Sequence, residues 1–283
     1  MNILNPKQLK RIKKNLKQKN NKPNYIQRMN SYRELFSEFP QIIFLVNHVL
    51  ESDRLLSRGL LPQPLPLLEL PENIQDTIFE SVTQQYPIGD PQGDQLWDKY
   101  SRELPKLDQL LRSYRDYLEE HYGMWCYISA PFVDKLANYI DGKPVLEVMA
   151  GNGYISKGLR DKGQTVIATD SLDWTKENET GRNLVTEIER LDAIKAIKKY
   201  GNQVAFVIMS WSPDGLSIDQ DILKNIRDTN PGIKLICIGE RNGATNSAEF
   251  WQMAQYVDEN EAETLNKYHQ PFDLIQDQVY IIK

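Results

Sequence analysis

The pattern of apolar and polar positions changes character once along this 283-residue chain. Up to about residue 124 its period is helical. Ile42, Leu45, Val46, Val49 and Leu50 recur at steps of three and four, predicting a helix over Ser31–Leu60 that Gly59 stops. Pro62, Pro64, Pro66 and Pro71 then force an extended connection. A short helix is expected over Asn73–Gln85, and breakers make Pro87–Gly93 a loop. Leu96, Tyr100, Leu104, Leu107, Leu111, Tyr114 and Leu118 form one helical face, which Pro105 should kink or divide. That face suits packing against the body of the protein, or a dimer seam.

From Tyr122 onward, short apolar runs alternate with helical stretches. Ser129-Ala130-Pro131 reads as the start of a helix closed by Gly142. Strands are expected at Val145–Met149, Thr165–Thr169, Leu184–Ile188, Val204–Met209 and Leu235–Ile238. Helices fall at Tyr154–Lys162, Ala193–Tyr200, Ile218–Arg227 and Ser247–Asp258. Two β-like runs, Tyr268–Ile275 and Val279–Ile282, close the chain and suggest an antiparallel hairpin at one edge. Such alternation predicts an α/β fold with a mostly parallel sheet covered on both faces. The expected organisation is a basic arm over 1–30, a helical region over 31–124 and an α/β domain over 125–283.

Charge alters this picture at one end only. Ten of the 34 basic residues fall within positions 1–33, which hold none of the 39 acidic ones. An arm of this kind suits contact with a polyanion such as RNA or the ribosome, or attraction to the protein's own acidic body. Leu9, Ile12 and Leu16 could line one side of a short helix there, but a solvated terminus is the plainer expectation. The run Ile42–Val46 is too short to cross a bilayer, and no secretory signal follows the basic start. Cys126 and Cys237 show no disulfide framework and no metal-ligand spacing, and both lie in apolar stretches. Buried inert thiols, no metal and a reducing cytoplasm are therefore expected, with no membrane association.

The most informative stretch is Val145-Leu146-Glu147-Val148-Met149-Ala150-Gly151-Asn152-Gly153-Tyr154. It reads as a buried strand, a tight glycine turn and a helix start, where backbone can approach a ligand closely. Asp170 ends the next apolar run, so an acid stands at the tip of the second strand. That layout suits a nucleoside in an α/β crevice. A dinucleotide fits less well. The third glycine of G-x-G-x-x-G is replaced by Ser156, and Glu147 would repel a pyrophosphate.

On these residues the segment 125–283 resembles the class I S-adenosylmethionine-dependent methyltransferases. The resemblance implies a Rossmann-like sheet of seven strands, the last antiparallel, and S-adenosyl-L-methionine as cofactor. It implies that Glu147, Ala150, Gly151, Asn152, Gly153 and Tyr154 surround the donor's amino-acid tail, that Asp170 with Ser171 holds the ribose, and that Asp192 and Ala193 meet the adenine. Asp192 could equally cap the helix that follows it. Tyr127 and Pro131 could close over the cofactor.

The loop Ser210-Trp211-Ser212-Pro213-Asp214 falls where the family builds the wall facing the methyl group. Amino-methylating members read Asp/Asn/Ser-Pro-Pro-Tyr/Phe there. Here the first proline is replaced and Asp214 stands in the aromatic position. The loop looks closer to a little-characterised subset reading Ser/Cys-Trp-Pro-Pro-Tyr, whose next strand ends Gly-Glu, as in Gly239-Glu240. By this resemblance Ser210, Trp211, Ser212, Pro213 and Glu240 are the candidates for acceptor positioning and catalysis, with Ser210 also beside the donor. The acceptor, a nitrogen of RNA, protein or a small molecule among the options, is not named by these residues. The alternative is a methyltransferase-fold protein that binds the cofactor without turnover and acts as an interaction module.

Overall fold

The structure is a computed structural model and describes residues 24–283. The expected helix within 4–20 and all but the last residues of the basic arm lie outside the described residues. The described residues divide into two compact units, one formed by 24–50 with Leu70–Leu110, the other by Glu51–Glu69 with Leu111–Lys283.

The first unit is helical. α1 (Tyr25–Leu35) starts at a reciprocal cap in which the Asn24 side chain accepts from Gln27 N–H, while Gln27 accepts from Asn24 N–H. α2 (Pro40–Leu56) follows after a break. The single helix expected over 31–60 is thus two. Pro40 has no N–H to give and pushes Phe39 out of helical geometry, so it opens α2 rather than continuing α1. α3 spans Ile74–Gln85 and α4 Pro91–Arg112. Phe36, Phe39 and Tyr100 form an aromatic knot in this unit's core, with ring centroids 5.4–6.2 Å apart. Pro105 lies inside α4, and the break comes only at Ser113, before α5 (Tyr114–Tyr122). Buried Leu104 and Leu107 on either side of the proline tie that turn into the core.

The second unit is built on a sheet. After α5 come α6 (Ala130–Ile140), β1 (Val145–Val148), α7 (Tyr154–Asp161), β2 (Val166–Asp170), β3 (Glu189–Arg190) and α8 (Ala193–Tyr200). β4 (Phe206–Ser210), α9 (Ile218–Thr229), β5 (Lys234–Gly239), α10 (Ala248–Met253), α11 (Glu259–Asn266) and β6 (Gln278–Ile282) complete it. The strand order is β3-β2-β1-β4-β5-β6, parallel except for β6, which runs antiparallel to β5. Val145, Phe206, Ile208 and Ile236 face a core completed by α6 and α7. Leu146, Val148, Val207 and Met209 face a second core completed by α8, α9 and α10. Burial on both faces explains why these strands read as apolar runs, broken in β1 only by Glu147.

Among the described residues the sheet has six strands rather than seven. The run 184–188 is not a strand; the short β3 forms immediately after it, at Glu189–Arg190. Tyr268–Ile275 forms turns, and the expected terminal hairpin gives way to pairing of β6 with β5. The helix expected over 247–258 stops at Met253, and α11 follows as a separate helix. No helix among the described residues is long and apolar enough to cross a membrane.

Candidate functional site

Strand order reverses between β1 and β4, because β1 leads outward to β2 while β4 leads the other way to β5. Chains leaving the carboxyl ends of two such strands diverge and open a crevice. A cavity of about 580 Å³ lies there. Small-molecule sites occupy roughly 300–1,000 Å³.

One wall is the turn after β1. Met149 (φ 55°), Gly151 (φ 57°) and Gly153 (φ 86°) all adopt left-handed backbone. A Cβ on Gly153 would approach Thr186 to 2.8 Å and Ile188 to 2.9 Å, so this glycine is required both by conformation and by space. Asp170, at the tip of β2, is buried and holds this turn: one carboxylate oxygen accepts from Gly151 N–H (2.8 Å), the other from Leu172 N–H (2.7 Å). Burial raises its pKa, against the two backbone donors that lower it. A carboxylate offers about four lone-pair sites, so both oxygens can still accept from a ligand hydroxyl.

Glu147, on β1, is 2 % exposed and accepts from both the backbone N–H and the hydroxyl of Ser156 in α7. Burial pushes its pKa up to about 7 despite those hydrogen bonds. Asn152 is a staple: its amide donates to the Tyr122 and Glu179 carbonyls and accepts from Gly181 N–H. Tyr154 donates to the Tyr122 carbonyl as well, at 3.0 Å. Asp192 caps α8 by accepting from Lys195 N–H and also pairs with the Lys195 ammonium. It still lines the cavity, so the cap and a ligand contact are compatible.

The facing wall is the loop after β4. Trp211 adopts left-handed backbone (φ 53°), which a bulky side chain rarely does. Its N–H donates to the Ile238 carbonyl, and its indole Nε1 donates to Asp277 at 2.8 Å. The Arg115 guanidinium lies 4.7 Å from its ring and is itself paired with Asp273. The next turn is held by Asn246 N–H on the Ser212 carbonyl and by a Pro213–Thr245 bridge. The hydroxyls of Ser210 and Ser212 are buried with no hydrogen-bond partner.

Glu147, Ala150, Gly151, Asn152, Tyr154, Asp170, Ser171, Asp192, Ala193, Ser210, Trp211, Ser212 and Pro213 all line the one cavity. Gly153 shapes the turn behind it. Glu240 stands apart from the lining: its carboxylate accepts from Ala244 N–H (2.7 Å) and Gln276 N–H (2.8 Å), and so ties together two loops. Tyr127 also points elsewhere, its hydroxyl donating to the Gln63 carbonyl, and neither it nor Pro131 lines the cavity. The neighbouring Met124, Trp125, Cys126 and Ile128 do, together with Trp174 and Thr180. Trp125 is anchored by its indole on the Thr180 hydroxyl (2.8 Å), with its ring centroid 6.4 Å from that of Trp211. No periodicity marks these residues in the sequence, since they sit in irregular segments.

No family model matches this chain, and no curated protein does. Solved structures similar to it include TehB from Haemophilus influenzae, at 17% identity over 59% of this chain and 65% of that one, with a TM-score of 0.31. Another is the CcbJ methyltransferase from Streptomyces caelestis, at 20% identity over 46% and 58% of the two chains, with a TM-score of 0.31. A third is a SAM dependent methyltransferase from Archaeoglobus fulgidus, at 13% identity over 60% and 99%, with a TM-score of 0.36. The chain thus spans less than two thirds of the first two. Likeness at this level assigns no role to any residue; the architecture stands on its own strand order and directions.

Proposed function

We propose that the chain is an S-adenosylmethionine-dependent methyltransferase. The observation that carries this reading is the link between Asp170 and the glycine turn. A buried carboxylate at the tip of β2 grips Gly151 N–H of the turn after β1, and both line the same cavity. In this reading Asp170 accepts the ribose hydroxyls and Asp192 with Ala193 borders the adenine. Backbone of Ala150–Gly153 runs beside the amino-acid tail, and the buried acid Glu147 complements its ammonium. The antiparallel β6 beside β5 agrees with the family's sheet edge.

Methyl transfer from a sulfonium is an in-line displacement whose leaving group is already activated, so positioning supplies much of the catalysis. The residues that would position the acceptor are Ser210, Trp211, Ser212 and Pro213. Trp211 presents its ring while Asp277 and Arg115 hold it in place. Glu240 acts at a distance, through the loops that it ties.

Calorimetry with S-adenosylmethionine tests the site. Removing the Asp170 carboxylate costs about 1.5–3 kcal/mol for charged hydrogen bonds, so Asp170→Ala should weaken binding by roughly 10- to 150-fold. Unchanged affinity in a folded Asp170→Ala protein would sink the assignment. Transfer of labelled methyl from the donor into a cell lysate, fractionated into RNA, protein and small molecules, then identifies the acceptor class. Donor binding with no label transferred to any fraction would favour a non-catalytic cofactor-binding module.

A further inference from the structure

The wall that carries Trp211 holds a second cluster. Cys126, just before α6, meets His269 and Asp277, which lie between α11 and β6; all three are buried. Cys126 Sγ is 3.9 Å from His269 Nε2 and 3.6 Å from Asp277 Oδ2, and His269 Nε2 is 3.5 Å from the same Oδ2. These three atoms form a nearly equilateral triangle.

That geometry is wrong for a nucleophilic thiol relay. In a relay the thiol and the carboxylate address opposite nitrogens of the imidazole, one on each side of the ring. Here a single nitrogen, Nε2, faces both partners, so thiol, imidazole and carboxylate converge on one point. Convergence of this kind suits a cation. Zinc bonds to sulfur, nitrogen and oxygen run about 2.0–2.3 Å, so tetrahedral ligand atoms stand roughly 3.3–3.7 Å apart. Two of the observed separations fall within that range, and the third, between Cys126 Sγ and His269 Nε2, exceeds it by 0.2 Å.

We propose that Cys126, His269 and Asp277 form a binding site for a divalent ion of the zinc class. Thiolate, imidazole and carboxylate together select zinc or cobalt over the hard oxygen-seeking cations. The supporting partners are present. Trp211 Nε1 donates to Asp277 Oδ2, orienting the carboxylate as outer partners of metal ligands do. Phe132 packs against the His269 ring with centroids 4.8 Å apart. Three protein ligands leave a fourth position, the pattern of zinc sites that take water or a reactant rather than closed structural ones. Cys126 lines the cavity, as does Ser210, whose hydroxyl lies beside the Cys126 thiol. The ion therefore stands at the cavity wall, and its fourth position is filled by water or by a thiol or hydroxyl of the molecule that enters. Through Asp277 it also braces the Trp211 loop.

The test uses the full chain. Elemental analysis of protein purified without chelator should show about one zinc per chain. Protein stripped by a chelator should compete with a chromophoric zinc indicator for one equivalent. Cobalt(II) added to stripped protein should develop intense tetrahedral ligand-field bands and a thiolate-to-cobalt charge-transfer band, which Cys126→Ser abolishes. Absence of stoichiometric zinc together with failure to compete with the indicator overturns the site, and these arms need only the wild-type protein. A charge-transfer band that survives in a folded Cys126→Ser protein overturns it too. Donor binding, measured on the same stripped sample, reads the glycine-turn site independently, so either proposal can fail alone.

Discussion

The two walls of the cavity differ in how their polar groups are satisfied. On the β1–β2 side, Asp170, Glu147 and Asn152 are all engaged with backbone or with neighbouring side chains. On the β4 side, Ser210 and Ser212 bury hydroxyls that make no well-formed hydrogen bond, and Trp211 sits in a backbone region costly for its size. A buried unpaired hydroxyl costs free energy that folding alone does not reward. The first wall is complete as it stands, which suits a cofactor bound the same way each time. The second keeps polar capacity in reserve, which suits a wall that meets a second molecule.

Changes at the completed wall should have the largest effects. Gly153→Ala puts a side chain where φ is 86° and Thr186 is already close. Left-handed backbone with a Cβ costs about 1–2 kcal/mol before any clash is counted. A loss of at least that size in urea unfolding is expected, together with weaker donor binding; a neutral result would mean that the turn tolerates a side chain.

Glu147→Gln separates stability from binding by pH. The Glu147 carboxyl titrates near 7 in the folded protein, above its ordinary 4.5, because burial disfavours the charge. Between those values the unfolded chain gives up the proton while the folded one keeps it. Wild-type stability should therefore fall as pH rises through this window and level off above 7, whereas the glutamine variant lacks that slope. The pH-dependent difference between them should reach on the order of 3 kcal/mol at pH 8. Parallel melting curves at pH 5 and pH 8 would refute the argument.

At the unfinished wall the sign reverses. Ser210→Ala and Ser212→Ala each remove an unpaired buried hydroxyl, so each should be neutral or stabilising by about 0.5–1 kcal/mol. Both should leave donor affinity within about threefold while lowering turnover about tenfold, a loss of about 1.4 kcal/mol in transition-state binding. Stabilised variants with full turnover would make these serines packing residues. Glu240→Ala should have the smallest effect. It loosens the loops over Ala244 and Gln276 by about 1 kcal/mol and leaves donor binding unchanged.

Much of the α/β order was legible because local chemistry imposes it. Strands buried on both faces are rich in apolar residues, and a turn with φ near +86° calls for glycine, so Val145–Val148, apolar but for Glu147, and Gly151–Gly153 announce themselves. The acid ending β2 was visible in the same way: the apolar run stops at Asp170, at the strand's carboxyl end. Local pattern misplaced the other end of the chain. Tyr268–Ile275 has strand-like residues but no sheet edge to join, since β6 takes the place beside β5. Glu240 follows β5, and its carboxylate accepts from two backbone amides, a pairing across loops that local pattern does not show.

What the sequence determined by itself is the order of β1, β2, β4 and β5 with the helices between them, and the glycine turn after β1, since each rests on neighbours within a few residues. What only the tertiary structure decided is the company that distant residues keep. Cys126 lies 143 residues from His269 and 151 from Asp277, and no spacing rule links them. Trp125 and Trp211 likewise line one cavity with ring centroids 6.4 Å apart, although they are distant in the chain. Side-chain convergence across such separations depends on strand order and on where each loop is tied, and neither is written in local periodicity.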